Sequence, residues 1–292
     1  MLTPQQIEQF WADGCLVVPD AVTVPQHEAL QRAIAGWIEE SRRHAAPFGE
    51  PTIDGRPRFD LEAGHTAERP RLRRVNNPSD ISVAFEEVMA NSRTIDMVTD
   101  LIGPDVKFHH CKVNLKLSGT HTFVGYHQDF SYTPHTNDDI VTALIMLDDV
   151  TLDNGCLMIV PGSHNEAQVS LFEGDMFTGQ ASAAETAVLR ARAVSVTGPR
   201  RSVCLMHTRL AHGSEPNRSP YSRGLYICVY TAADAFPLNP NPMPNRNEGR
   251  ILRGKKTRIA RLMATNIELP AQPKSASFFT VQGQVSAGAE QV

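Results

Sequence analysis

From Val106 onward the chain breaks into short β-branched or aromatic runs, FHHCKVNLKL, VGYHQDFSY, IVTALIMLDDV, CLMIV, SVCLMH and RGLYICVYTAA. Turn signals such as LDNG, PGSH and GSEPN separate them. Several such strands without helical spacers restrict the fold to a sandwich, a jelly roll or a barrel. With 292 residues and 41% hydrophobic content, the chain can bury a large core without disulfide or metal staples, and general disorder is excluded. Twenty-eight basic against 32 acidic residues give a net charge of −4, so no global field favours nucleic acid or an anionic membrane. No apolar run approaches the length of a membrane span. The five cysteines are scattered without a C-x-x-C pair, and the start MLTPQQIEQFWADG lacks the pattern of a secretory signal. A cytoplasmic protein, monomeric or homodimeric, is therefore expected.

The first third reads as helical. Thr3-Pro4-Gln5-Gln6 offers an N-cap, an early proline and a capping-box glutamine, and Gly14 offers a stop. A second helix is expected near Thr23-Val24-Pro25, with Leu30, Ile34, Trp37 and Ile38 as its apolar stripe. Residues 44–70 read as a long loop. Further helices fit the stretch before Gly103, with Ser79 or Asp80 as cap. Residues 165–193 read as a lid loop or short helix, and the tail beyond Phe236 as extended, basic at 250–261 and frayed at its end. The expected organisation is one domain spanning 1–292: a mainly helical layer (1–105), a β-core (106–236) and an extended tail (237–292).

Chemistry concentrates at Tyr126-His127-Gln128-Asp129-Phe130. On a strand, His127 and Asp129 project to one face and Gln128 to the other. His212, after the apolar strand SVCLMH, can supply a third ligand from a distant strand. Two histidines and one carboxylate that leave positions open suit non-haem Fe(II) oxygenases. Arg223 heads the strand RGLYICVY, where a cation among apolar neighbours needs an anion. Its fork suits a carboxylate; the plainer alternative is an ion pair with Glu215.

YHQD, LDDVTLDNGCLMIVPGSH and HGSEPNRSPYSR, in that order, resemble the phytanoyl-CoA dioxygenase family of Fe(II)/2-oxoglutarate oxygenases. The similarity runs from about residue 5 to about 236 and includes F-x-x-x-G-x-L-V-V-P-D at the start and LIGPDV. It implies a mainly β fold with α: a double-stranded β-helix (jelly-roll, cupin-like) core under an N-terminal helical layer. It also implies His127, Asp129 and His212 as ligands of Fe(II), Arg223 on the distal carboxylate of 2-oxoglutarate, and O2 as co-substrate. The strand HHCKVNLKLSG is similar to that of ectoine hydroxylases, with Lys112, Asn114 and Lys116 where R-x-N-x-K would stand. Asn114 is then a candidate for the cosubstrate, Lys112 for cosubstrate or substrate contact, and Lys116 for substrate. The implied reaction is hydroxylation, or another C–H oxidation, of a small molecule with release of succinate and CO2. Asp129 argues against halogenation, since related halogenases have a small residue there. A non-catalytic cupin-like binding module is the alternative.

The weaker candidates are His110 and Arg74. His109 and His110 alternate faces on a regular strand, so at most one reaches the cavity, and His110 is preferred for substrate. Arg74 belongs to a basic cluster with Arg69, Arg71 and Arg73 that is either a solvated charge run or a contact for an anionic substrate at the cavity mouth. His135 and His164 read as turn histidines.

Overall fold

The computed structural model describes residues 1–271, 278–279 and 281–282. Two capping boxes start the first helices. Thr3 Oγ1 accepts from Gln6 N and Gln6 Oε1 from Thr3 N at the head of α1 (Pro4–Asp13). Thr23 and Gln26 do the same for α2 (Val24–Ser41). Gly14 ends α1 at φ 78°, where a side chain would be strained. After it come β1 (Cys15–Val18), β2 (Phe59–Leu61) and β3 (Leu72–Asn76), and then α3 (Val83–Asn91) and α4 (Arg93–Ile102). The remaining elements are β4 (Val106–Lys116), β5 (Val124–His127), β6 (Ile140–Met146), β7 (Leu157–Ile159), β8 (Phe172–Glu173), β9 (Met176–Phe177), α5 (Ala183–Arg192), β10 (Val194–Val196), β11 (Val203–His207), β12 (His212–Ser214), β13 (Arg223–Ala232) and β14 (Ile251–Arg253).

The strands build a jelly roll of two antiparallel sheets. The large sheet runs β1-β11-β6-β13-β4-β3-β2, with β14 also on β4; the small one runs β10-β7-β12-β5. Alternation along β13 shows how the sequence divides the core. Tyr226, Cys228 and Tyr230 face the helices, where the two tyrosine hydroxyls donate to Phe85 O and Met89 O, each at 2.9 Å. Leu225 and Ile227 face the other way, into the inter-sheet core with Leu144, Met146, Met206 and Ile159. Arg223, two residues before Leu225, shares that inner face.

β4 obeys the same rule after a slip. Val229 pairs with His110 and Tyr230 with Phe108, so His109 is a bulged extra residue. Val106 and Phe108 before the bulge and Cys111, Val113 and Leu115 after it all join the helix-facing core. His110, Lys112, Asn114 and Lys116 consequently turn toward the space between the sheets.

Several expectations need correction. The N-terminal part is not only helical: CLVV is β1, paired with β11, and the supposed loop contains β2, while the following arginine-rich residues form β3, paired with β4. Arginines hid β3 because Leu72 and Val75 alone carry its buried apolar face. Ser79 and Asp80 do not cap α3. They lie in a 3-10 turn (Pro78–Asp80), the Asp80 carboxylate is held by buried Arg58 at 3.4 Å, and Ser82 is the N-cap. The 165–193 insert holds the β8–β9 hairpin and α5. The basic tail is strapped down by Arg250–Glu86, Arg253–Asp96 and an Arg261 pairing with Asp139 and Asp234.

Candidate metal centre and adjoining clefts

Strand pairing creates the centre. His127 ends β5, His212 begins β12, and the two are cross-strand partners with ring centroids 4.3 Å apart. Asp129 does not share their strand, as the i, i+2 argument supposed, because β5 stops at His127. It opens a 3-10 turn (Asp129–Ser131) anchored by Phe130 N donating to Thr208 O at 2.9 Å. The turn still brings Asp129 Oδ1 to 3.6 Å from His127 Nε2 and 3.8 Å from His212 Nε2. Gln128 points away, donating to Arg209 O and accepting from Val169 N.

The donor atoms of the three residues lie within 4.8 Å of one another, and their chemistry fits a divalent metal. His127 Nδ1–H donates to Gly125 O at 2.8 Å and His212 Nδ1–H to Leu210 O at 2.9 Å. Those bonds leave each Nε2 lone pair free to coordinate. Burial, opposed by too little attraction, pushes the His212 imidazole down to about 4 and keeps it neutral. Burial alone would raise the Asp129 carboxyl; the neighbouring His127, His212 and Lys112 outweigh it and hold the group well below the usual carboxylate range. Thr142 Oγ1 donates to Asp129 Oδ2 at 2.8 Å, which leaves Oδ1 as the coordinating oxygen. Thr142 carries no motif, so sequence reasoning missed it.

A cleft runs from this centre between the sheets and is lined by Asn114, Lys116, Leu144, Met206, Arg223 and Ile227 among others. Arg223 is only 3% exposed, and burial lowers its guanidinium to about 10. Its Nε and Nη2 both donate to Gly155 O, at 3.1 and 2.6 Å. The alternative ion pair is absent: Glu215 pairs with Arg190 instead. Gly155 explains the LDNG turn, since at φ 78° a Cβ would come within 2.8 Å of Glu215 O and Lys116 Cδ. Lys116 Nζ donates to Ser214 Oγ at 2.7 Å and to Glu215 O, beside Arg223. It therefore stands at the Arg223 end of the first cleft.

A second cleft shares Arg74, Lys112, Asp129 and Phe278 with the first and adds His110, Tyr132, Val229 and Met243. His110 lines it, and His109, the bulged residue, is in the lining of neither cleft. Their Nδ1 atoms lie 2.6 Å apart, and His135 packs on His109. His164 is far from this group, its Nε2 bonded to Trp11 O. The end of the tail beyond 282, expected to fray, lies outside the described residues, but part of the stretch before it packs at the centre. Phe278 packs edge-on to His127 with centroids 5.4 Å apart, Phe279 covers Arg73 and Arg74, and Gln282 Oε1 accepts from Gly125 N at 3.0 Å. A Phe-Phe pair within a polar tail was the available signal.

Residues 10–225 match the family model described as phytanoyl-CoA dioxygenase (PhyH). The chain is 31% identical over 219 residues to a probable alpha-ketoglutarate-dependent hypophosphite dioxygenase of Stutzerimonas stutzeri, covering 73% of this chain and 74% of that one. It is 24% identical over 258 residues to the L-proline trans-4-hydroxylase of Streptomyces griseoviridis, covering 80% and 87%. Among solved structures, it is similar to EctD from S. alaskensis with 2-oxoglutarate and 5-hydroxyectoine, with a TM-score of 0.69, 21% identity and 88% of each chain covered.

Proposed function

The chain belongs to the phytanoyl-CoA dioxygenase (PhyH) family, and from that premise we propose that it oxidises an X–H bond of a small molecule at a metal held by His127, Asp129 and His212. It is a 2-oxoglutarate-dependent non-haem iron dioxygenase, and its cofactors are Fe(II), 2-oxoglutarate and O2. Bound at this centre, Fe(II) supplies the activation of O2; overall, substrate R–H, O2 and 2-oxoglutarate give R–OH, succinate and CO2. The chain's own part is positional. Arg223 receives the distal carboxylate of 2-oxoglutarate, with the Gly155 carbonyl holding the guanidinium plane. Asn114 offers its amide nitrogen to the same ligand, because its Oδ1 already accepts from Arg74 Nε at 3.0 Å. Lys112 borders both clefts. Leu144, Met206 and Ile227 form an apolar wall, and Phe278 and Tyr132 shield His127 from water.

The observation that carries this reading is the convergence of two Nε2 atoms and one carboxylate oxygen beside a buried, uncompensated arginine. The Asp129 carboxylate supports hydroxylation over halogenation. Nothing supports the non-catalytic binding module. The test is succinate formation from 2-oxoglutarate by the Fe(II)-loaded chain, with and without O2. O2-dependent succinate is expected from the wild type and not from Asp129→Ala, which should also lose stoichiometric iron. Equal succinate with and without O2 refutes the proposal.

A further inference from the structure

Resting on that reading of the metal centre, we infer that the primary substrate is a small oxyanion whose charged end is held by Arg74 and Lys112. The second cleft opens directly beside the metal centre, with Asp129 in its lining. Its charges do not balance. Asp54 is committed to Arg56 at 2.5 Å and Asp60 to Arg73 at 2.8 Å, while Asp129 faces the two histidines. The formal charges of a divalent iron, the Asp129 carboxylate, both carboxylates of 2-oxoglutarate, the Arg223 guanidinium and a protonated Lys116 leave no negative charge over for a further cation. Arg74 and Lys112 remain as two uncompensated cations beside the reacting position.

Their placement suits one shared ligand. β3 and β4 pair Arg74 with Asn114 and Asn76 with Lys112, so the two cations sit on adjacent strands one step apart. Arg74 is 7% exposed. Asn114 fixes its Nε, and the rings of Phe278 and Phe279 lie 5.3 and 4.4 Å from its guanidinium carbon. Its two Nη groups donate to nothing among the described residues, and neither does Lys112 Nζ. A buried, unpaired cation costs several kcal/mol. A neutral substrate would leave that cost in place, whereas two oxygens sharing a negative charge match the arginine fork and remove it. Val229, Pro242, Met243 and Phe177 give the cleft an apolar side that accommodates a short carbon body. Carboxylates and phosphorus oxyanions share this chemistry.

The test uses the full chain loaded with Fe(II) and 2-oxoglutarate under argon and titrated by calorimetry with propionate, methylphosphonate and hypophosphite, and with neutral propionamide. At least one oxyanion should bind ten-fold or more tightly than the amide, and the better of the carbon and phosphorus anions identifies the source. Lys112→Gln should raise that oxyanion's dissociation constant at least ten-fold, about 1.4 kcal/mol. Lys112→Arg should restore it, Arg74→Lys should weaken it, and Lys256→Gln, exposed in the tail, should leave it unchanged. Amide binding as tight as the oxyanions overturns the inference. So does a Lys112→Gln variant that weakens 2-oxoglutarate more than the oxyanion. If no oxyanion binds while O2-dependent succinate formation proceeds, this inference fails and the dioxygenase reading stands; absent succinate formation sinks that reading instead.

Discussion

Replacing Arg223 by Met separates a cosubstrate-binding arginine from a structural one. Among the described residues no carboxylate pairs with the guanidinium, whose Nε and Nη2 spend themselves on one carbonyl. Burial lowers it to about 10 from an ordinary 12.5, on the order of 3 kcal/mol against the charged form when no anion is beside it. At pH 7.5 folded and unfolded chains both carry the charge, so that cost is fully present. It fades only as pH climbs from about 10 toward 12.5. Met removes the cost but forfeits the bonds to Gly155 O, roughly 1–3 kcal/mol. The variant without 2-oxoglutarate should thus lie within about 2 kcal/mol of the wild type in thermal or urea unfolding. Its affinity for 2-oxoglutarate should fall about a hundred-fold or more, since two charge-assisted bonds are worth at least ~3 kcal/mol. Arg223→Lys, which keeps the charge and loses the fork, should fall roughly ten-fold. Calorimetry on the Fe(II)-loaded chain under argon measures both. Destabilisation by the ~3–5 kcal/mol typical of a broken buried ion pair, with unchanged 2-oxoglutarate affinity, would refute the assignment.

Burial and then Arg223 push Lys116 down to about 6, against raising contributions from Glu215, Cys156 and Glu62. A bound carboxylate at Arg223 restores the proton, so 2-oxoglutarate binding takes one up above about pH 6. Affinity should fall with rising pH, by at most about ten-fold per pH unit, and Lys116→Met should flatten the slope; a slope unchanged by that substitution refutes it. Thr142→Val removes the donor to Asp129 Oδ2 while keeping the side chain's shape. Fe(II) affinity should drop roughly ten-fold or more in an equilibrium metal titration, and an unchanged affinity would show that the turn alone orients the carboxylate.

The strands of the β-core were legible because buried strands carry β-branched runs between turn signals, and the donor set was legible because His127, Asp129 and His212 sit in motifs. What stayed hidden had identifiable causes. β3 carries Arg73 and Arg74 where an apolar pattern would betray a strand, and it reads as a charged loop until its pairing with β4 is seen. Asp129 came to the right side of His127 for a different reason than strand periodicity, through a turn whose anchor, Thr208, is about 80 residues away in sequence. Thr142 and Phe278 act only through tertiary contact, and a single sequence does not expose such partners. The position of Lys116 at the Arg223 end was not legible either, because parity identifies the face of a strand and not the position along it.

The bulge at His109 shows how much of both clefts depends on one inserted residue. A strand flips every side chain to the opposite face when its register slips by one. Val106 and Phe108 lie on the helix side with even numbers, and Cys111, Val113 and Leu115 lie there with odd ones. Only an extra residue between the two stretches reconciles them, and His109 is that residue. Deleting it forces a choice: either Val106 and Phe108 leave the helix-facing core, or His110, Lys112, Asn114 and Lys116 turn away from the clefts. Burying those polar groups against the helices costs several kcal/mol, so the strand's N-terminal end should yield. Exposing Phe108 and Val106 costs roughly 3 kcal/mol or more. His109→Ala keeps the residue count and the His109 carbonyl that accepts from Asn241 and Asn245, and removes the side chain's contact to His110 and its packing on His135. Its cost should therefore be much smaller than that of the deletion. Urea unfolding of the two variants decides the matter: equal destabilisation would mean that the imidazole, and not the bulge, is what the strand requires.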